Sequence, residues 1–294
     1  MEKVVQVLVD ALSLGSTYAL LALGLALVFS IMGLINFAHG ELMTICAYAM
    51  FGLIVVAGVP GWIVIPGTIG VGVLAALLME HVAFRPVRGA SGATLLLTSF
   101  AVSVLVQNLL VVFMGARPKA VPLPAWTNSV ITFGTVTVSL LQVLTTVVCL
   151  ACLVALRLFL TRTSMGLAMQ AASGDFVATR LMGIRANHMI AGAFAISGAL
   201  AAVATLLYVA RRGTVDPYMG LIPVLKAFIA SVLGGLGSLT GAVAGGFLLG
   251  FLEVLLQSTL PDGLRLFRDA FVFGLVILVL LARPTGLLGR QAVR

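Results

Sequence analysis

Six stretches of this chain, 11–40, 42–79, 89–116, 120–156, 186–210 and 227–252, contain no Asp, Glu, Lys or Arg. A helix of about 20 apolar residues crosses the hydrocarbon core of a bilayer. The six windows therefore hold about seven or eight crossings, and the apolar stretch that ends at Arg283 holds another. A closed barrel is the other architecture that satisfies its backbone in lipid, but its strands alternate in polarity every residue. Runs such as Leu140–Leu160 are long and unbroken. Over the whole chain 61% of residues are hydrophobic and 9% charged, against roughly 25% charged in a soluble domain. So few charges cannot cover a globule of 294 residues. The expected fold is an all-α integral membrane protein with about eight or nine transmembrane helices, some of them broken or re-entrant.

Hydropathy read against Pro, Gly and charge punctuation predicts spans at 4–32, 36–58, 61–80, 92–114, 136–160, 188–210, 221–238, 240–258 and 268–284. The first is long for one crossing, and Ser13, Gly15, Ser16 and Thr17 are expected to interrupt it. A formal charge of +8 reads here as cytoplasmic loops rich in Lys and Arg, with no nucleic acid as partner. Three segments carry that excess: 81–91 with Arg85 and Arg88, 157–187 with Arg157, Arg162, Arg180 and Arg185 against Asp175, and the tail with Arg283, Arg290 and Arg294. These are expected in the cytoplasm, which puts the C-terminus there too. The Pro-rich 115–135 loop and Arg211–Gly220 then face outward, although Arg211 and Arg212 run against the rule. Cys46, Cys149 and Cys152 all lie in apolar runs and read as small core residues. The N-terminal apolar stretch exceeds a signal h-region and lacks a small-residue cleavage site, so it reads as an uncleaved first helix. No polar segment is long enough to bury a core of its own. Residues 1–294 thus form a single polytopic domain, with 161–187 as a cytoplasmic segment inside it.

Four groups of residues stand out. Asn36, His39 and Glu41 cluster around Gly40 between two apolar runs. Two readings are open. Asn36 can cap a helix whose first turn holds Glu41 at the interface, or the cluster marks a helix broken beside a transport path. His39 and Glu41 offer two metal ligands and the sequence supplies no third, so no metal is expected. Between Asp175 and Gly183, Asp175 can cap a helix of about two turns, with Phe176, Val177 and Leu181 as apolar contacts and Gly183 as terminator. Its open alternative is an amphipathic helix resting on lipid. Gly237, Gly241 and Gly245 recur every four residues, a spacing that lets helices approach closely in a bilayer or serves as a hinge. Lys226 and Glu253 are charges inside apolar runs. Lys226 is either an ion-paired structural residue or part of the path of an anionic group.

Asn36-Phe37-Ala38-His39-Gly40-Glu41, after a first helix containing Tyr18-Ala19-Leu20-Leu21-Ala22-Leu23-Gly24, resembles the permeases of branched-chain amino-acid ABC importers, the LivH type. Arg85-Pro86-Val87-Arg88-Gly89 resembles that family's loop after the third span. Leu225-Lys226-Ala227-Phe228 with Val232–Ser238, and Arg283-Pro284-Thr285-Gly286-Leu287-Leu288-Gly289, resemble its late segments. The strings occur in the family's order and span essentially the whole chain. The resemblance implies a permease of the bacterial cytoplasmic (inner) membrane that is not itself an enzyme. Its partners would be a second homologous permease in a heterodimer, two ATP-binding subunits and an extracytoplasmic substrate-binding protein. It also implies ATPase coupling through a short helix whose loose signature is Glu-Ala-Ala, three residues, then Gly. Residues 177–183 keep that spacing, with Ala178 and Gly183 in register.

No Lys here follows a Gly-rich phosphate loop, so ATP and Mg belong on partner chains and no cofactor on this one. The implied cargo is a branched-chain amino acid, with urea and short-chain amides as near alternatives. An ion-coupled secondary transporter using His39 and Glu41 as proton-linked groups is the competing class. An intramembrane hydrolase would need a Gly-x-Ser-x-Gly elbow with a His–Asp pair, and the sequence has none.

Overall fold

A computed structural model of the chain describes residues 2–133 and 136–288; Gly289, Arg290 and Arg294 of the predicted tail lie outside them. The first helix, α1 (Glu2–Met32), runs unbroken. The expected interruption at 13–17 does not occur, because the hydroxyls of Ser16 and Thr17 donate to the carbonyls of Leu12 (2.7 Å) and Ser13 (3.3 Å) one turn back. That bond satisfies a polar side chain inside a helix without a water. α1 stops at Gly33, whose φ of +63° turns the chain out of the helix while its N–H still donates to the Phe29 carbonyl at 2.8 Å.

After a non-helical stretch, α2 (His39–Phe51) runs on through a wider turn to Val56. α3 (Gly61–Met79) is extended the same way to Phe84, and α4 (Gly92–Met114) starts from a Ser91 cap. The predicted span at 136–160 is shortened. Val136–Ser139 (β3) pairs instead with Val130–Phe133 (β2) as a hairpin, and α5 (Leu140–Arg162) begins at a Ser139/Gln142 capping box. Then follow α6 (Ser164–Gly174), α7 (Phe176–Leu181) and α8 (Ala186–Arg212). α9 (Leu221–Gly234), α10 (Leu239–Thr259) and α11 (Arg268–Ala282) complete the described chain. A small ladder joins Lys119–Ala120 (β1) to Thr214–Val215 (β4).

Among the described residues seven helices are long and apolar enough to cross a membrane; α9, with 14 residues, and α11, with 15, are shorter. All of this is the all-α membrane architecture the sequence predicts, with the two late spans cut short.

The loops sort into two ends. At one lie both hairpin elements and the start of α1, where Gln6 Nε2 donates to the Thr137 carbonyl and Gln142 Nε2 donates to Asp10. At the other lie the Arg85–Arg88 turn, tied to the foot of α8 by Arg88 donating to Asn187 at 2.6 Å, and the α6–α7 segment. The C-terminal stretch joins this second end, since Leu287 and Leu288 donate backbone N–H groups to Leu233 and Gly234.

α1 is the centre of the bundle, buried throughout from Gly15 to Val28. Around it stand α5, α8, α9 and α10, while α3, α4, α11 and the far side of α5 turn rows of Leu, Val, Ile and Phe outward. An outward apolar face is the ordinary surface of a protein whose solvent is hydrocarbon.

Glycine sets the closest approaches. A Cβ on Gly15 would come within 2.9 Å of the Phe247 backbone, and one on Gly250 would strike the Gly15 backbone, so α10 crosses α1 here nearly backbone to backbone. α9 meets α10 in the same way: Gly241 faces Gly234, and a side chain on Gly245 would fall on the Ala230 carbonyl. Gly237 is not part of that stripe. It sits in the α9–α10 turn at φ +85°, a conformation that glycine adopts freely, so the predicted four-residue spacing begins at Gly241.

Candidate functional site

The segment between α1 and α2 is the least regular part of the bundle interior. Gly33–Ala38 leaves the end of α1 and doubles back beside it, because His39 packs against Gly24, eight residues and about 12 Å before Met32 along the helix axis. α2 therefore starts at membrane depth. Asn36 does not cap it. The cap position is Ala38, with no side-chain bond, and Asn36 contributes its backbone carbonyl to His39 N–H at 3.2 Å. Of the two readings of this cluster, the geometry is that of a broken, re-entrant helix start.

His39 and Glu41 are two residues apart, which turns them about 200° around the helix, and they face different neighbours. Ser197 Oγ on α8 donates to the Gly24 carbonyl at 2.9 Å and lies 3.2 Å from His39 Nδ1. With the Ser197 proton so engaged, the network assigns the imidazole proton to Nδ1 and leaves Nε2 an acceptor. On the other side, Glu41 Oε1 accepts from Ser103 Oγ at 2.8 Å and from Gln107 Nε2 at 2.7 Å, both on α4. Ser103 is eleven residues into α4 (103 minus 92), about 16 Å along its axis, so this contact too is near mid-membrane. Asn36, His39 and Glu41 are each at most 2% exposed. Asn36 Oδ1, His39 Nε2 and Glu41 Oε2 have no partner within the described chain. Buried polar atoms are nearly always bonded, so three orphans on one short segment set it apart from ordinary core.

Aromatic rings gather on the same segment. Phe37, one turn before Glu41, stacks on Phe100 of α4 at 4.6 Å between centroids and lies 5.4 Å from Phe228 of α9. Phe100, Phe228, Ser103, Gln107 and Ser197 escape the reading from sequence. The one visible signal was Ser99, Ser103 and Gln107 recurring every fourth residue within apolar α4.

Lys226 lies elsewhere and is fully engaged. Its Nζ donates to both oxygens of Glu253 at 2.9 Å, to Asp269 at 3.3 Å and to Tyr18 Oη at 3.2 Å. Tyr18 donates to Glu253 at 2.8 Å, and Arg268 adds a second cation at 2.8 Å. This network joins α1, α9, α10 and α11, and of the two sequence readings the ion-paired one describes its surroundings.

The Asp175–Gly183 segment has the local structure its residues predict. Asp175 Oδ1 accepts from Ala178 N–H at 2.9 Å, and Gly183 closes the turn at φ +82°. Its apolar residues divide differently from expectation. Phe176 turns inward, packs on the core, and with Met32, Arg88 and Asn187 lines a cavity of about 490 Å³. Leu181 and Met182 point outward, 83% and 82% exposed.

These features define a polytopic helical protein with a discontinuous helix at mid-depth, the construction that membrane transporters use. The family described as "Branched-chain amino acid transport system / permease component" matches residues 7–281, and the chain belongs to it. It is 38% identical to the high-affinity branched-chain amino acid transport system permease protein BraD of Pseudomonas aeruginosa, over 98% of this chain and 96% of that one. It is 36% identical to LivH, the corresponding permease protein of Escherichia coli K12, over the same shares of each. A probable LivH of Methanocaldococcus jannaschii is 26% identical over 96% of this chain and 92% of the other. No solved structure matches the chain.

Proposed function

We propose that this chain is the membrane-spanning permease subunit of an ATP-driven importer that carries a branched-chain or similar aliphatic amino acid inward. The observation that carries this reading is the match along nearly the whole chain to permease proteins of branched-chain amino acid transport. In this reading the chain pairs with a second, homologous permease. Two ATPase subunits hold ATP and Mg, and an extracytoplasmic binding protein delivers cargo, so this chain needs no cofactor. Its site is the cytoplasmic membrane, with the arginine-rich end and the C-terminus inside, as the positive-inside rule favours.

Asn36, His39 and Glu41 line the path, and α7 is the coupling element. Exposed Leu181 and Met182 suit a groove on an ATPase, since a helix of six residues is marginal without a docking surface. The ion-coupled alternative uses His39 and Glu41 as proton-linked groups, and the likeness to permease components of a transport system favours the ATP-driven reading over it. Urea and short amides remain distinguishable by cargo.

The test is uptake by proteoliposomes. The assembled complex with binding protein and internal ATP is expected to accumulate labelled L-leucine, and this chain alone to accumulate none under a proton gradient. Uptake by the lone chain would overturn the reading, and uptake of urea but not leucine would reassign the cargo.

A further inference from the structure

Three acids are buried among the described residues: Glu41, Glu80 and Glu253. Arg88 holds Glu80, and Lys226 with Arg268 holds Glu253. Glu41 is held by Ser103 and Gln107, with the Thr44 hydroxyl close by, all of them neutral, and its Oε2 has no hydrogen-bond partner among the described residues. An acid at this depth without a cation is a costly arrangement unless a cation arrives. The surroundings specify which kind. A single carboxylate is a poor site for a metal ion, and no other His, Cys, Asp or Glu among the described residues gathers with it into a group of three.

Phe37 and Glu41 are one turn apart on the segment that opens α2. Opposite them, Phe100, Ser103 and Gln107 fall on one face of α4 at spacings of three and four. Phe228 of α9 lies against Phe37 from the other side. A buried carboxylate oxygen without a partner thus lies on the same segment as Phe37 and one turn of α4 from Phe100, the outer edge of the three-ring cluster, which is 43% exposed. Ring faces attract ammonium groups and also accept aliphatic chains.

We propose that this face is a passage subsite for a zwitterionic aliphatic amino acid, with Glu41 Oε2 receiving the ammonium group and Phe37, Phe100 and Phe228 receiving the side chain. The proposal rests on the permease reading above and deepens it. A single charged contact suits a cargo that must be released again.

The test uses the whole transporter in nanodiscs and proteoliposomes. Glu41→Gln keeps the shape and is expected to cut L-leucine uptake at least tenfold at equal assembled complex, while Glu41→Asp, which keeps the charge, retains more. Phe100→Ala, at a half-exposed position where folding tolerates truncation, is expected to slow uptake severalfold. In a Phe100→Cys complex, L-leucine and 3-methylbutylamine are expected to slow labelling by a methanethiosulfonate reagent, and 4-methylpentanoate, which lacks the amine, is not.

A wild-type complex that moves no leucine would sink the permease reading. Wild-type transport together with unimpaired Glu41→Gln and Phe100→Ala complexes would overturn the subsite alone. Equal protection by 4-methylpentanoate would also overturn it, leaving a proton as the partner of Glu41. If Glu41→Gln does not assemble, the Phe100 variants, which keep Glu41, decide.

Discussion

At the scale of single residues, buried charges behave according to their partners. Lys226 is 5% exposed and shares its ammonium among Glu253, Asp269 and Tyr18. Removing one member of a buried pair leaves the other uncompensated, at about 3–5 kcal/mol. Lys226→Met is therefore expected to destabilise the bundle by about that much. Lys226→Met with Glu253→Gln, which leaves Arg268 beside Asp269, should recover a large part. Unfolding of the two single variants and the double variant in detergent measures the coupling as a cycle; additive losses would show that the pair is not coupled. The charges of this network were legible in the sequence as intramembrane residues. Their mutual contact was not, because α1, α9, α10 and α11 supply one or two members each, and separation along the chain says nothing of adjacency across helices.

Two of the helical elements show opposite uses of small and large side chains. α10 is pressed against α1 at Gly246 and Gly250, where a Cβ would fall on the backbone of Ala19 and Gly15. Overpacking costs about 1–3 kcal/mol in an ordinary core, and here the obstruction is backbone, which cannot move aside as a side chain does. Gly246→Leu is expected to cost at least about 3 kcal/mol or to prevent assembly. Gly70→Leu, on the outward face of α3 with nothing within 4 Å, should be neutral. Thermal stability of the two purified variants separates them, and a stable Gly246→Leu would mean that the crossing is looser than described.

The α7 segment makes the complementary case. Phe176 is a packing residue, so Phe176→Ala should lower stability by about 2–4 kcal/mol. Leu181→Ser with Met182→Ser should leave stability intact and weaken co-purification with the ATPase subunits. If the double variant retains full association and substrate-stimulated ATP hydrolysis, this segment is not where coupling occurs. The sequence identified this helix by its Asp cap and Gly stop, which are local signals. Which of its apolar residues faced outward depended on the cavity beneath Arg88 and Asn187.

At the scale of the whole molecule, the unbroken α1 has a topological consequence. With no break at 13–17, the N-terminus lies at the hairpin end and the arginine-rich loops at the other. A cysteine placed at Lys3 should react with an impermeant reagent added outside intact cells, and one placed at Met182 only after the membrane is opened. Labelling of both from the same side would contradict the arrangement. The native cysteines do not interfere strongly, since Cys46 and Cys149 are buried and Cys152 is half-buried.

Charge-free runs, caps and glycine stops are properties of neighbouring residues, so the sequence alone determined the solvent, the helical class and most span boundaries, and marked Asn36–Glu41 as a helix start without deciding whether it was capped or broken. It also carried the family likeness, because the matching strings are local. Tertiary structure decided what those residues meet. It set Gly237 in the α9–α10 turn outside the packing stripe, and it put Ser197 of α8 beside His39 and α4 beside Glu41. It also placed Ser103 and Gln107 against a carboxylate that has no cation of its own. Each outcome follows from which helices lie side by side in lipid, where packing and polar contacts select among apolar faces that are nearly equivalent by hydrophobicity.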